Sequence, residues 1–330
     1  MESIKRQLGA NRRGNVKSKV TIVALCLTFL SMAAAQDWKP PLDSERCPSK
    51  WGSRDERGSM NNQGPDLVLK AARVIRTGEL IELGRVLSDS MPLPTGRSFN
   101  LYTKRTFMNT LPNHRGSNEE LVVTELGQVG TQFDGFAHQT VGDSMYNCFK
   151  VDDIATRSGF AKLGIEKASM IFTRGVLVDV AGLKGVNMLG DSYEITPSDL
   201  EQALTRQNIS LQPGDAVLIC TGWGQLWEKD NARYLRSNPG IGVPAAQWLA
   251  KQNPILVGSD NGSVEVSPNP DAELSLPVHQ LMLVVNGIHL LENLKLDEMA
   301  SKQVHEFAFA MQPLKIKGGT GSTVAPVAIR

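Results

Sequence analysis

Cysteine, histidine and aromatic residues are all scarce in this chain of 330 residues, which has four cysteines, five histidines and 6% aromatic residues. Cys26 lies in an N-terminal segment that we expect to be removed. The other three, Cys47, Cys148 and Cys220, are odd in number and widely spaced, which excludes a disulfide-framework protein. Whether Cys47 pairs with Cys148 stays open. Cys220 follows the apolar residues 216–219, so we expect it to be a small core residue.

An excess of charge of one sign is also missing. The 35 basic and 34 acidic residues give a formal net charge of +1, and no basic stripe suggests nucleic-acid binding. Apolar residues make up 41% of the chain, and neither a repeat nor a low-complexity tract is visible. This composition is typical of a globular protein with a sizeable core.

The sequence has no apolar run long enough for a permanent membrane span, which needs about 20 residues. Residues 20–32 are apolar, follow six basic residues and precede Ala33-Ala34-Ala35. This pattern predicts a signal peptide at residues 1–35, with export to the periplasm or the medium. An uncleaved anchor is the alternative. Arg12-Arg13 loosely resembles a twin-arginine signal, so the export route stays open. Without residues 1–35 the formal charge falls from +1 to −4.

Residues 36–330 contain no obvious linker, which predicts one domain. We expect an extended arm at residues 36–64 and a long irregular loop at residues 91–118. The mixture of predicted helices and short apolar strands across residues 36–330 predicts an α/β fold with a central sheet. The predicted strands are residues 79–88, 121–126, 176–180, 216–221, 255–258, 288–291 and 307–311. The predicted helices are residues 66–77, 244–252 and 277–285, together with one that begins at Thr196.

Asp134 and His138 lie four residues apart in a glycine-punctuated segment, and His279 and Glu292 flank a helix–turn–strand unit. Carboxylate and imidazole groups are ligands for zinc, manganese or iron. A bound cation could activate water and polarise a carbonyl group for hydrolysis. Read without other information, this spacing also fits surface turns and helix caps. His289 and His305 lie in strand-like segments and are expected to be structural.

Three blocks in order resemble the cyclase-like metal hydrolases, a family that includes bacterial kynurenine formamidase and isatin hydrolase. The first is Gln128-Val129-Gly130-Thr131-Gln132-Phe133-Asp134-Gly135-Phe136-Ala137-His138, where the family has His-x-Gly-Thr-His-x-Asp-x-Pro-x-His. The others are Asp260-Asn261-Gly262-Ser263-Val264-Glu265-Val266 and the stretch from Leu276-Pro277-Val278-His279 to Gly287-Ile288-His289-Leu290-Leu291-Glu292. The resemblance implies a swivelling β/β/α fold with a mixed central sheet and flanking helices.

The resemblance also implies residue roles. Asp134, His279 and Glu292 match metal ligands, and His138 matches the histidine that donates and accepts protons. Gln128 and Gln132 stand where the family has two metal-binding histidines. An amide oxygen is a weaker donor than imidazole, so we expect one Mn²⁺ or Zn²⁺ per chain rather than two. Gln132 would be a weak ligand or a substrate contact.

We expect Phe133, Phe136, Gln128 and Trp223 to line a substrate pocket, although the three aromatic residues could equally be ordinary core residues. The expected function is hydrolysis of a C–N or C–O bond in a small carbonyl compound, such as a cyclic amide, an aryl formamide or a lactone. The alternatives are a metal-dependent lyase or dehydratase acting on a hydroxy acid, and a non-catalytic exported binding protein with a decayed site. The resemblance also implies a homo-oligomer. No nucleic-acid partner and, after processing, no stable membrane span are expected.

Overall fold

The computed structural model describes residues 38–330, except for the side chains of residues 106–108. The predicted signal peptide lies outside these residues. Within the described part, no helix is long and apolar enough to span a membrane.

The helices are short, and most of them connect strands of the main sheet. They are α1 (Asp43–Arg46), α2 (Pro65–Val74), α3 (Val151–Ile154), α4 (Val180–Leu183), α5 (Pro197–Gln207), α6 (Asn231–Arg236), α7 (Val243–Lys251), α8 (Pro277–His279) and α9 (Asp297–Ser301). Turns of 3₁₀-helix occur at Gly58–Asn62, Tyr146–Cys148, Ile165–Lys167 and Trp223–Leu226, and a π-helix at Gln280–Val285 continues α8.

Fifteen strands are found among residues 38–330. They are β1 (Leu80–Glu82), β2 (Phe99–Met108), β3 (Gly116–Thr124), β4 (Gln132–Asp134), β5 (Ala155–Thr156), β6 (Gly159–Phe160), β7 (Ile171–Asp179), β8 (Glu194–Ile195), β9 (Ala216–Cys220), β10 (Gly240–Ile241), β11 (Leu256–Ser259), β12 (His289–Glu292), β13 (Glu306–Met311), β14 (Gly321–Thr323) and β15 (Val327–Ile329).

Nine of these strands form one mixed sheet in the order β1-β15-β13-β7-β9-β11-β12-β4-β14. The middle strands β7, β9, β11 and β12 are parallel, and antiparallel strands flank them on both sides. Strands β9 and β11 are buried along their whole length, as expected for parallel strands covered on both faces. Apolar clusters pack on the two faces of this sheet. The predicted α/β fold with a mixed central sheet is therefore confirmed.

Most predicted elements occur within one to three residues of their expected positions. The helix that begins after Thr196 has the expected cap: the Thr196 side chain accepts from the Asp199 backbone N–H, and the Asp199 side chain accepts from the Thr196 backbone N–H. The strand predicted at residues 79–88 is shorter than expected and covers only β1.

The irregular loop predicted at residues 91–118 is wrong for residues 99–108 and 116–118, which form strands. Strands β2 and β3 pair there as a long antiparallel hairpin, in which Tyr102 faces Leu121 and Lys104 faces Glu119. Most of the hairpin side chains are exposed, including those of Leu101, Tyr102 and Leu121. Neither face of the hairpin packs along its length on the core. Residues 99–118 therefore lack the alternation of apolar and polar residues by which a strand is predicted.

Cys47 and Cys148 form a disulfide, with their Cα atoms 6.1 Å apart. The bond ties the N-terminal arm to the 3₁₀ turn at Tyr146–Cys148. Lys150 also binds Asp43 of the arm at 2.9 Å. The pairing that the sequence left open is therefore present, and Cys220 is free and buried, as expected.

Replacing both paired cysteines with serine should lower the free energy of unfolding by about 2–5 kcal/mol, because the bond closes a long loop of the unfolded chain. The sequence separation of the pair is 101 residues. Urea unfolding of the wild type and of Cys47→Ser/Cys148→Ser measures the difference. A reductant should lower the free energy of unfolding of the wild type to that of the double variant and should leave the value for the variant unchanged. Equal unfolding midpoints would show that the bond contributes nothing.

A candidate metal centre and its surroundings

Strand β4 carries the central part of the predicted motif and pairs antiparallel with β12, so that Gln132 faces Glu292 and Phe133 faces Leu291. Side chains on a strand alternate between its two faces. Gln132 and Asp134 therefore share one face of β4, on the side of Glu292, and Phe133 points to the other face. This pairing brings together residues about 160 positions apart in the sequence.

His279, the last residue of α8, completes the cluster. Its Nε2 atom lies 3.1 Å from Glu292 Oε1 and 3.7 Å from Asp134 Oδ2. Gln132 Nε2 lies 3.4 Å from Asp134 Oδ1. All four predicted ligands, Asp134, His279, Glu292 and Gln132, are buried and in one place.

Asp134 Oδ2 is a buried carboxylate oxygen with no hydrogen-bond partner among the described residues. Leaving a buried charge unpaired is costly, and protein carboxylates in such places usually pair or coordinate metals. One potential ligand atom from each of Asp134, His138 and His279 lies within 4.8 Å of the other two. Carboxylate and imidazole donors around an oxygen that accepts no hydrogen bond fit a divalent ion such as Zn²⁺ or Mn²⁺.

Glu265 holds His279 in place. Its Oε1 atom lies 2.5 Å from His279 Nδ1, and its two oxygens also accept from the backbone N–H groups of Val278 and His279, at 3.1 and 3.0 Å. Glu265 is fully buried. A carboxylate on one ring nitrogen of a ligating histidine fixes the tautomer and aims the other nitrogen at the metal. Here the nitrogen thus aimed at Asp134 and Glu292 is Nε2.

His138 lies at the open side of the cluster and is oriented by Gln128. Gln128 Nε2 is 3.2 Å from His138 Nδ1, and Gln128 Oε1 accepts from Gln132 Nε2 at 3.5 Å. With Oε1 occupied in this way, Gln128 donates to Nδ1, and a neutral His138 carries its proton on Nε2. The two glutamines that replace histidines thus bond to each other, to His138 and to Asp134.

Burial and neighbouring charges shift the pKa values of the cluster. Burial lowers the pKa of His138, the charges of His279 and Arg97 lower it further, and Asp134 opposes the shift. Burial, followed by the charge of Asp134, raises the pKa of Glu292 to about 7. Burial also disfavours a charged His279, but its bonds to Glu265 and Glu292 outweigh burial and raise its pKa well above the usual value.

His289 contacts the backbone of Asp134 and the ring of Phe136, in keeping with the structural role expected for it. Its Nδ1 atom donates to the main-chain oxygen of Asp134 at 2.8 Å, and its ring stacks on Phe136 with the centroids 4.1 Å apart. Burial lowers the pKa of His289 to about 4, so the ring is neutral near pH 7. His305, also expected to be structural, lies outside this cluster and is only half-buried.

The structure places the three aromatic residues in the apolar core, which is the second of the two interpretations that the sequence left open for them. Phe133, Phe136 and Trp223 are at most 2% exposed and belong to the apolar core. Phe133 and Phe136 pack on His289, and Trp223 Nε1 donates to the Tyr234 main-chain oxygen at 3.3 Å. Strand alternation places Phe133 on the face opposite the ligands, which the short motif alone did not reveal.

A cavity of about 270 Å³ opens beside the cluster, and Gln128 and Gln132 form part of its wall. The remaining lining includes Arg97, in the loop before β2, and polar residues of later segments such as Asn238 and Ser263.

Neither Glu265 nor Arg97 was predicted as a site residue from the sequence. An acid between Val264 and Val266, both apolar, was the signal for Glu265.

Comparison with known proteins identifies the family. The sequence model of the Cyclase family, described as "Putative cyclase", matches residues 81–266. A solved structure described as a novel cyclase shares 30% identity, with a TM-score of 0.79, and the match covers 88% of this chain and 100% of that one. The chain therefore belongs to the cyclase family, as its motifs suggested.

More distant structures share the fold. Isatin hydrolase A from Ralstonia solanacearum is 24% identical, with a TM-score of 0.53, over 80% of this chain and 95% of that one. Isatin hydrolase A from Labrenzia aggregata is 18% identical, with a TM-score of 0.55, over 76% and 93%. No curated protein sequence matches this chain.

Proposed function

We propose that the protein is a metal-dependent hydrolase that cleaves a C–N or C–O bond in a small carbonyl compound. The observation that carries this proposal is the buried Asp134 Oδ2 atom, which accepts no hydrogen bond from the described residues, inside a carboxylate–histidine cluster next to an open cavity. The activities of the isatin hydrolases, as their names state them, agree with it. Candidate substrates are cyclic amides, aryl formamides and lactones.

Asp134, His279 and Glu292 would hold the ion, which would polarise the carbonyl group and acidify a water molecule. The chain's own side chains would orient the ligands, move a proton and exclude water. Glu265 keeps His279 Nε2 directed at the carboxylates. His138 can donate its Nε2 proton to the leaving group in its imidazolium form and so return to the neutral form, and the proton released by the attacking water would restore the imidazolium. Burial of Asp134 and Glu292 excludes bulk water from the ligands.

We propose one ion per chain, Mn²⁺ or Zn²⁺. The amides of Gln128 and Gln132 are engaged with each other and with neighbouring side chains, so they leave few donors for a second ion. Metal analysis of protein purified without added metal should give about one ion per chain. Two tightly bound ions would contradict the single-ion proposal.

A hydrolysis screen tests the activity itself. Cyclic amides, aryl formamides and lactones would be supplied with the protein and with Mn²⁺ or Zn²⁺ in separate reactions. In ¹⁸O-labelled water, hydrolysis puts the label into the carboxylate product. A product without the label would indicate elimination rather than hydrolysis, and a metal-free protein without turnover would overturn the proposal.

We also propose that the protein is exported and that it forms a homo-oligomer. The disulfide supports export, because such bonds persist in oxidising compartments. The hairpin of β2 and β3 supports self-association. A two-stranded hairpin is marginally stable alone, and this one exposes Leu101, Tyr102, Leu121 and Val123 at 50–56%. A second copy of the chain would cover these side chains.

The double variant Tyr102→Lys/Leu121→Glu should dissociate the oligomer. The two positions face each other in register, next to the Lys104–Glu119 pair, so the new pair replaces apolar contact area with charge and keeps cross-strand complementarity. Sedimentation at micromolar concentration should show the wild type as a dimer or larger and the variant as a monomer. Thr103→Lys, at an exposed polar position that faces Glu120 on the same hairpin, is the control. A monomeric wild type would contradict the proposal.

A further inference from the structure

Arg97 is the only charged side chain among the described residues that line the cavity beside the cluster. The rest of the described lining is neutral and consists of backbone, amide, hydroxyl and apolar groups. A cavity with one cation and no anion in its wall is suited to a ligand with a single negative charge. The cavity volume, about 270 Å³, is enough for a compound with one aromatic ring.

The guanidinium group is held in position and still has free donors. Arg97 follows a turn in which its N–H donates to the Pro94 main-chain oxygen at 3.0 Å, and its Nη1 donates to the Gln128 main-chain oxygen at 2.8 Å. The group has five N–H donors. Among the described residues, no carboxylate lies within the 4.0 Å of an ion pair with Arg97, which is half-buried. A carboxylate fits the guanidinium edge through two parallel hydrogen bonds.

The same contacts connect Arg97 to the reactive groups. Gln128 accepts from Arg97 through its main chain and contacts His138 through its side chain at 3.2 Å. Gln132 lines the cavity and contacts Asp134. A compound whose carboxylate lies on Arg97 would therefore reach Gln128 and Gln132 with its other end, and these are the cavity residues that contact His138 and Asp134.

We propose that Arg97 binds a carboxylate of the substrate, so that the enzyme acts on small amides, formamides or lactones that also carry a carboxylate. This inference rests on the proposed function and names its substrate class. The competing role for Arg97 is to balance the negative charge of Asp134 and Glu292 without touching a ligand. A neutral and an anionic ligand of equal shape distinguish the two roles.

Benzoate and benzamide are such a pair, and their binding needs no turnover. Calorimetry on the metal-loaded protein should show that Arg97→Gln weakens benzoate at least about 10-fold, the effect of losing a charged hydrogen-bond pair, and changes benzamide less than about 2-fold. The benzoate affinity of Arg97→Lys should lie between those of the wild type and Arg97→Gln, because lysine keeps the positive charge and loses the two parallel N–H donors of the guanidinium group. Arg54→Gln, at an exposed position, is the control for the loss of one charge. Metal affinity should be unchanged in all variants.

Three results would overturn the assignment: no benzoate binding by the wild type, equal benzoate affinity in Arg97→Gln, or equal weakening of both ligands. Turnover gives a second measurement. With 3-formamidobenzoate and 3-formamidobenzamide, Arg97→Gln should lower kcat/KM at least about 10-fold for the acid, mainly through KM, and not for the amide.

The two proposals fail separately. A wild type that hydrolyses none of the screened compounds counts against the hydrolase, and the benzoate result still decides the role of Arg97. A wild type that hydrolyses the formamides equally, with no dependence on Arg97, counts against the carboxylate site alone.

Discussion

Replacing Asp134 with asparagine is expected to remove the metal and the activity without unfolding the protein. The change keeps the shape of the side chain and removes the charge of the unpartnered oxygen. Metal content should fall from about one ion per chain to below about 0.1. Turnover should fall by at least about 10³-fold, since charge stabilisation by the ion contributes several kcal/mol.

The stability of the metal-free protein separates this result from misfolding. The neutral amide would no longer add charge beside Glu292, whose pKa Asp134 raises. Metal-free Asp134→Asn should therefore unfold at the same or a higher urea concentration than the metal-free wild type. Asp143→Asn, with a side chain that is 75% exposed, is the matched control and should keep both metal and turnover. An Asp134→Asn variant with full metal content would refute the site.

Glu265→Gln is expected to weaken metal binding about 10- to 100-fold even though Glu265 does not touch the ion, because the carboxylate on Nδ1 orients His279 and strengthens it as a ligand. The new amide would also place N–H donors against donors that the carboxylate now satisfies. The free energy of unfolding should fall by about 1–3 kcal/mol. Competition with a chromogenic chelator measures the affinity, and urea unfolding measures the stability.

Glu194→Gln is the control for Glu265→Gln. Burial alone raises the pKa of the half-buried Glu194, so neutralising it should leave metal affinity unchanged and should not destabilise the fold. Unchanged metal affinity in Glu265→Gln would mean that the backbone alone holds His279 in place.

The residues of the candidate metal site were predictable from the sequence because chemistry restricts their types. Few residue types bind a divalent ion, and Asp134, His279 and Glu292 stood in recognisable blocks. The structure brings these three together through the pairing of β4 with β12 and through the last residue of α8. The number and identity of the ions stay predictions.

The structure differs from the sequence-based expectations mainly where the packing of a face decides the outcome. Short motifs do not reveal which face of an element a side chain occupies. Phe133 follows Gln132 directly and so points to the opposite face of β4, into the core. The hairpin at residues 99–124 has neither face packed along its length on the core, and residues 99–118 lack the pattern that predicts strands.

The residues that surround the ligands were harder to find. Glu265 acts through His279, and Arg97 lies in a loop 31 residues before Gln128, to which it bonds. Each depends on a three-dimensional neighbour that sequence spacing does not give. Only the position of Glu265 within an otherwise apolar strand-like stretch hinted at a buried role.

The depth of the cluster has a kinetic consequence. The side chains of Asp134, His279 and Glu292 are at most 4% exposed, so an ion could exchange only past Gln128 and His138 or through local opening of the fold. Exchange would then be slow compared with the time a chain needs to fold. The ion in the mature protein would be decided by the metal supply of the compartment where folding is completed, and only secondarily by the relative affinities of Mn²⁺ and Zn²⁺.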